Sequence, residues 1–271
     1  MSATLFEPKA ASALETLGLN VARQRLDQAA QRAAAEQWSY SHFLGYLLDS
    51  ELSERHARTV ALNLQFARFP IIKRLGDFDF KAQPSLDPKL LDELATGRYL
   101  TEGRNVILLG PPGVGKTHLA IGLGVACAEM GHRVYFISAV ELARKLSLAL
   151  SLNRLHREMH NFTRPRLLII DEVGYLALDQ TQASLLFQVI SQRYDTGGSV
   201  VLTSNKAFSE WAHVFNADAV MAGAALDRLL HKATVLSIRG DSYRLRERKK
   251  ARATADDLLS NPQPNDASIK P

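Results

Sequence analysis

Val106-Ile107-Leu108-Leu109-Gly110-Pro111-Pro112-Gly113-Val114-Gly115-Lys116-Thr117 decides how the chain is read. Four apolar residues lead into G-x-x-x-x-G-K-[ST], and a helical stretch, His118–Met130, follows. The order is strand, glycine loop, helix. Glycines let the backbone curl until its amides converge on phosphate oxygens, and the helix behind adds its positive N-terminal end. In such a loop Lys116 reaches the β and γ phosphates and the Thr117 hydroxyl ligates Mg²⁺. The expected binding residues are Gly110, Pro111, Pro112, Gly113, Val114, Gly115, Lys116, Thr117 and His118, with ATP and Mg²⁺ as ligand and metal. The bland alternative is a glycine-rich turn that binds nothing.

Leu167-Leu168-Ile169-Ile170-Asp171-Glu172 completes the pattern. Four apolar residues make a buried strand whose carboxyl end carries two acids, and ligands of open α/β sheets bind at such ends. Asp171 is the expected second metal residue beside Thr117. Glu172 is the expected general base for the water that attacks the γ-phosphate. A kinase must exclude that water, so the adjacent acid favours ATP hydrolysis. Val200–Thr203 is a further strand, ending in Ser204 and Asn205. Asn205 either holds the attacking water and senses the γ-phosphate or merely ends the strand in a turn.

Outward from the loop, short apolar runs alternate with helical segments: Val134–Ile137 before Leu167, then Val200–Thr203 and Val235–Ile238. That alternation predicts an α/β fold with a five-stranded parallel sheet between helices. Residues 1–70 read as a small all-helical domain that binds a partner, DNA or the main domain. Leu14, Leu17 and Val21 share a helical face, Phe43 to Leu52 form a second stripe capped by Ser39 or Ser41, and a third helix runs to Phe69 before Pro70. Residues 71–104 form a connector with a non-helical, aromatic-bearing Gly76-Asp77-Phe78-Asp79-Phe80, then a helix opened by Asp87-Pro88 and stopped by Gly97. The main domain spans 105–250. The tail, 251–271, is polar and expected to be disordered.

With 46% hydrophobic and 23% charged residues among 271, the composition suits a globular protein with a sizeable core. No apolar run approaches the roughly 20 residues of a membrane span, and the N-terminus lacks the marks of a signal peptide. No membrane role and a cytoplasmic location are the expectation. Cys127, the single cysteine, forms no internal disulfide and falls in an apolar stretch as a core residue. Residues 226–253 hold nine Lys or Arg against three acids, a surplus larger than the whole chain's +5. Such a patch neutralises nucleic-acid phosphates, or else is a solvated basic face or a subunit interface. His156 and His160 stand four apart but lack a zincin context, and read as a polar helix. Phe208 and Trp211 read as core anchors rather than base-stacking platforms.

The loop GPPGVGKTHLA, the strand LLIIDEVGYLALD, the segment VVLTSNKAFSEW and the ending ALDRLLHKATVLSIRGDSYRLRE resemble IstB-like ATPases across roughly residues 10–250. These are helpers of insertion-sequence transposases, of the AAA+ P-loop NTPase class, similar to DnaC helicase loaders and more distantly to DnaA. The resemblance implies that the Asn205 strand lies between the loop strand and the Asp171–Glu172 strand. It also implies ATP sites shared between protomers of a homo-oligomer, with Arg228 as an arginine finger acting on the neighbour's γ-phosphate. Without the family, Arg228 is a surface helix arginine. Arg244, in Ser242-Tyr243-Arg244, matches another recurrent position of unassigned role. A helical lid has no room to follow, which leaves adenine recognition to the Phe78–Phe80 connector. The implied function is an ATPase that binds duplex DNA and recruits an IstA-like integrase, the transposase. A helicase loader, a small-molecule kinase and a non-hydrolysing adaptor are the alternatives.

Overall fold

The computed structural model describes residues 7–243 and 245. The expectations for Arg244, for the basic residues between 246 and 252 and for the 251–271 tail lie outside the described residues. The chain divides into two compact units, residues 1–65 and 66–271.

The first unit is built from α1 (Glu7–Thr16), α2 (Asn20–Ala35) and α3 (Tyr40–Ala67). The expected continuous face through Leu14, Leu17 and Val21 is interrupted, because Gly18 at φ 68° turns the chain between α1 and α2. The two helices expected between residues 40 and 69 are one helix of 28 residues. Nothing between Leu52 and Phe66 caps or breaks it, since neither proline nor glycine occurs there. Ser39 is the cap, with Ser39 Oγ accepting from the His42 amide at 3.2 Å. Ala22, Ala29 and Leu47 form the core, with Leu14, Leu26, Phe43 and Tyr46 packed against it.

No local side chain caps the start of α2. Glu51 of α3, 5% exposed, accepts from the Val21 and Ala22 amides at 2.8 and 3.2 Å instead. It also pairs with Arg55 at 3.0 Å. Desolvation pushes its carboxyl upward, but the Ala22 amide, Arg55 and the Val21 amide together hold it below the usual range.

In the second unit, α4 (Pro88–Ala95) opens on Asp87, whose carboxylate accepts from the Lys89 amide, with Pro88 at the first helical position. Gly97, at φ 73°, ends it before the short α5 (Arg98–Thr101). Five strands follow: β1 (Asn105–Leu109), β2 (Val134–Ser138), β3 (Leu167–Val173), β4 (Ser199–Ser204) and β5 (Ala233–Ser237). They are parallel, in the order β2-β3-β4-β1-β5. The Asn205-bearing strand therefore does lie between the loop strand and the acidic strand. Helix α6 (Lys116–Glu129) crosses from β1 to β2. Helices α7 (Ala139–Ser151) and α8 (Leu155–Thr163) lead to β3, α9 (Gln180–Asp195) to β4, and α10 (Trp211–Val214) with α11 (Ala219–Leu230) to β5.

The first crossover runs toward one sheet edge and the later ones run back. Right-handed connections therefore place α6 on one face and α7, α9 and α11 on the other. Ile169 meets α6 at Gly124, while Ile107, Leu168, Ile170 and Leu202 join Leu142, Leu146, Val189 and Leu229 opposite. With both faces covered, near-continuous apolar strands are the only ones that can be buried without cost. The loops after β1 and β4 leave on opposite faces, which opens a crevice at their carboxyl ends.

Trp211 is fully buried, edge-on to Phe208 and stacked on Phe215, as a core anchor. Cys127 is buried too, and desolvation pushes its thiol up to about 12. The His156 and His160 Nε2 atoms lie 3.2 Å apart on α8. Among the described residues no group of three or more His, Cys, Asp or Glu could hold a metal.

Arg193, on α9, is 1% exposed. Its guanidinium donates to the carbonyls of Phe162, Thr163, Pro165, Arg166 and Ser199, tying the entries of β3 and β4 together. Burial lowers it to about 10, so it stays protonated at neutral pH. Arg193→Ala strands these carbonyls, and unpaired buried acceptors cost about 1–3 kcal/mol each. Equilibrium urea unfolding of the variant is expected to show a loss of about 3–5 kcal/mol. A loss under about 1 kcal/mol would mean that water substitutes for the guanidinium.

Candidate functional site

The crevice holds a cavity of about 520 Å³ at the carboxyl end of the sheet. One wall is the loop between β1 and α6. Gly110, Gly113 and Gly115 take φ of 153°, 84° and 98°, values that side chains rarely adopt. Left-handed residues are what a nest, the conformation that turns successive amides toward an anion, is built from. The loop is also crowded from outside. A Cβ on Gly113 would strike the Ser242 side chain, one on Gly110 the Ile238 carbonyl, and one on Gly115 the Phe78 ring. Glycine is thus required twice at Gly113 and Gly115, for φ and for space.

Pro112, Gly113, Val114, Gly115, Lys116, Thr117 and His118 line the cavity. Gly110 and Pro111 stand behind it, and their carbonyls accept from Lys116 Nζ at 2.7 and 2.8 Å. His118 faces the connector: its Nε2 is 3.0 Å from the Arg74 carbonyl and its ring is edge-on to Phe78.

The acids occupy the tip of β3. Asp171 is 5% exposed, and both its oxygens lie 3.0 Å from Thr117 Oγ1. Thr203 Oγ1, from β4, donates to Asp171 Oδ1 at 2.5 Å. Between Ile170 and Val173 the β3–β4 register shifts, and there Glu172 takes φ 60°. A bulge re-aims side chains. Here it leaves Asp171 inward on Thr117 and Glu172 exposed on the cavity. The Glu172 amide donates to Thr203 Oγ1 at 2.9 Å. Asn205, just past β4, lines the cavity as well.

The donor set suits a magnesium nucleotide. A hydroxyl and a carboxylate, oxygen ligands only, stand beside the glycine loop, and Mg²⁺ takes few protein ligands when phosphates supply the rest. Thr117 and Asp171 are the residues that would hold it.

Several wall residues were not singled out from the sequence. Ile71, Lys73, Asp77 and Gln83 of the connector line the cavity beside Phe78 and Asp79, whereas Phe80 packs against the Phe78 ring. The aromatic connector gave a signal for its neighbourhood, but nothing in its spacing marked these four. Ile121, Tyr175, Thr203 and Tyr243 complete the lining. The Tyr243 amide donates to the Gly113 carbonyl at 3.0 Å, and Gln83 Nε2 donates to the Asp241 carbonyl at 3.3 Å. The segment after β5 is thereby laid along the glycine loop and the connector. Arg228 is not brought to the cavity. It sits in the last turn of α11, donating to the Ala224 carbonyl and stacked over Phe187 at 5.1 Å.

Residues 12–251 match the family model described as IstB-like ATP binding protein. The putative ATP-binding protein of insertion sequence IS21 from Pseudomonas aeruginosa is 46% identical over 82% of this chain and 83% of its own length. That of IS5376 from Geobacillus stearothermophilus is 42% identical, over 86% and 92%. Among solved structures, AMPPCP-bound DnaA from Aquifex aeolicus gives a TM-score of 0.53 at 17% identity, covering 72% of this chain and 57% of DnaA. DnaI gives 0.53 at 20%, covering 65% and 93%. These structural likenesses concern the fold alone.

Gly113→Ala puts a Cβ into left-handed backbone and against Ser242. With strain of about 1–2 kcal/mol localised in the loop, nucleotide affinity should fall about tenfold while far-UV dichroism is unchanged. Titration with a fluorescent ATP analogue would measure it, and undiminished affinity would show that the loop does not carry the phosphates.

Proposed function

The chain belongs to the family of IstB-like ATP binding proteins, and from that premise we propose that it hydrolyses ATP and uses the cycle to assemble on duplex DNA and recruit a transposase. The observation that carries hydrolysis is Glu172, set by the β3 bulge on the rim of the cavity, one residue beyond the carboxylate that holds Thr117. Thr117 and Asp171 would hold Mg²⁺, which when bound would supply charge neutralisation for the phosphates. Lys116 leaves its loop carbonyls for the same phosphates. Glu172 takes a proton from the attacking water, and Asn205 orients that water. The connector residues Phe78 and Asp79, which line the cavity, meet the base and sugar in this reading.

Arg228 serves a neighbouring protomer in this reading. Its distance from its own cavity and its position at the end of α11 fit a group that acts in trans. ATP then completes each junction, and hydrolysis releases it. The relatives' names place them in insertion sequences, and in this reading the partner is the transposase of such an element, an IstA-like integrase. The basic surplus in residues 226–253 supports contact with backbone phosphates and a steep fall of DNA affinity with salt.

Two results test the ATPase. Lys116→Ala is expected to weaken ATP binding by about 100-fold, the value of its charge-assisted contacts. Glu172→Gln is expected to keep ATP binding and lose about 10²–10⁴ in turnover, measured by phosphate release. Retained turnover would remove Glu172 as the base.

A mixing experiment tests the shared site. Arg228→Ala should bind ATP but hydrolyse it about 10³-fold more slowly. Mixed with Lys116→Ala, which keeps its finger, it should regain part of that turnover. Strictly additive rates in the mixture would mean that each protomer works alone.

A further inference from the structure

Glu172 is held in a costly backbone state. A glutamate at φ 60° gives up about 1–2 kcal/mol relative to extended backbone, so something must over-determine it. The register shift between Ile170 and Val173 removes Glu172 from the regular β3–β4 ladder, and its amide goes to a side chain, Thr203 Oγ1, instead. That hydroxyl is buried, 1% exposed, and has one proton. Since it must accept from the Glu172 amide, which can only donate, its proton is free to go to Asp171 Oδ1, 2.5 Å away. The direction of the relay is therefore fixed: Glu172 N–H to Thr203 O–H to Asp171 carboxylate.

The Asp171 carboxylate also faces Thr117. With Thr203 occupying one side of Oδ1, Asp171 is turned so that it can receive the Thr117 proton. That leaves the Thr117 oxygen lone pair to the metal. One hydroxyl thus touches both members of the acidic pair and fixes the rotation of one and the backbone of the other.

We propose that Thr203 is a positioning residue for hydrolysis: its hydroxyl holds Glu172 in left-handed backbone and aims that carboxylate at the attacking water. The proposal rests on the reading of Glu172 as the base. Thr203 lines the cavity, but its hydroxyl is engaged by the Glu172 amide and the Asp171 carboxylate. Valine at this position keeps the shape and the β-branched fit to β4 but has neither donor nor acceptor. The Glu172 amide then loses its partner, and the residue relaxes toward extended backbone, swinging its carboxylate away. Serine keeps the hydroxyl and so keeps the relay.

The experiment compares full-length wild type, Thr203→Val, Thr203→Ser and Glu172→Gln for steady-state phosphate release and for affinity toward a fluorescent ATP analogue with Mg²⁺. Thr203→Val is expected to lose about 10–100-fold in kcat, the usual effect of removing a group that orients a reacting one. Its nucleotide affinity should stay within about twofold of wild type, which also shows that the site is folded, and Thr203→Ser should restore most of the rate. Wild-type kcat in Thr203→Val overturns the proposal, as does equal impairment of the serine and valine variants. A loss of nucleotide affinity in step with kcat also overturns it, since Thr203 would then be supporting the pocket as a whole. Glu172→Gln separates the two claims. If it turns over ATP like wild type, the base assignment fails. If it is inactive while Thr203→Val is fully active, only the positioning role fails.

Discussion

A carboxylate at the tip of β3 accepts hydrogen bonds from two hydroxyls that arrive from different parts of the chain. Asp171 is almost fully removed from water, and a bare carboxylate there would be expensive. Thr117, from the start of α6, and Thr203, from β4, supply the hydrogen bonds that make it tolerable. The arrangement stands only if β3, β4 and β1 lie side by side with their carboxyl ends level, as the order β2-β3-β4-β1-β5 provides. Sheet order, loop conformation and the bulge at Glu172 all meet at this one group.

The glycine loop is shaped from both sides. Inside, positive φ turns its amides toward the cavity. Outside, the segment after β5 and the connector press against it at Ile238, Ser242 and Phe78, leaving no room for side chains. The Tyr243 amide on the Gly113 carbonyl continues this clamp. A loop so supported is pre-organised, and little of its binding energy is spent on ordering backbone. The connector, which precedes the sheet in sequence, is in this respect part of the nucleotide site.

The first unit obeys a different logic. Its core is small, and a buried charged group, Glu51, does part of the joining by capping the N-terminus of α2 from α3. Helix periodicity identified these elements but not their ends. Gly18 divides what looked like one apolar face, and the absence of a stop after Leu52 fuses what looked like two helices.

Local chemistry was legible in the residues alone. The phosphate loop needs only eight consecutive positions, each buried strand announces itself as an apolar run, and a strand ending in Asp171-Glu172 carries its acids wherever it goes. Parallel strands joined by helices follow from the alternation of those patterns. What the sequence could not fix is which distant groups meet. Thr203 lies 31 residues from Glu172, and its role depends on a one-residue register shift that leaves no mark in composition. Ile71, Lys73, Asp77 and Gln83 become walls of the cavity only because the connector folds over α6. Spacing along a chain encodes torsions and periodicity, which are local. Hydrogen-bond partners across strands are decided by register and sheet order, and those are settled only when the whole core packs.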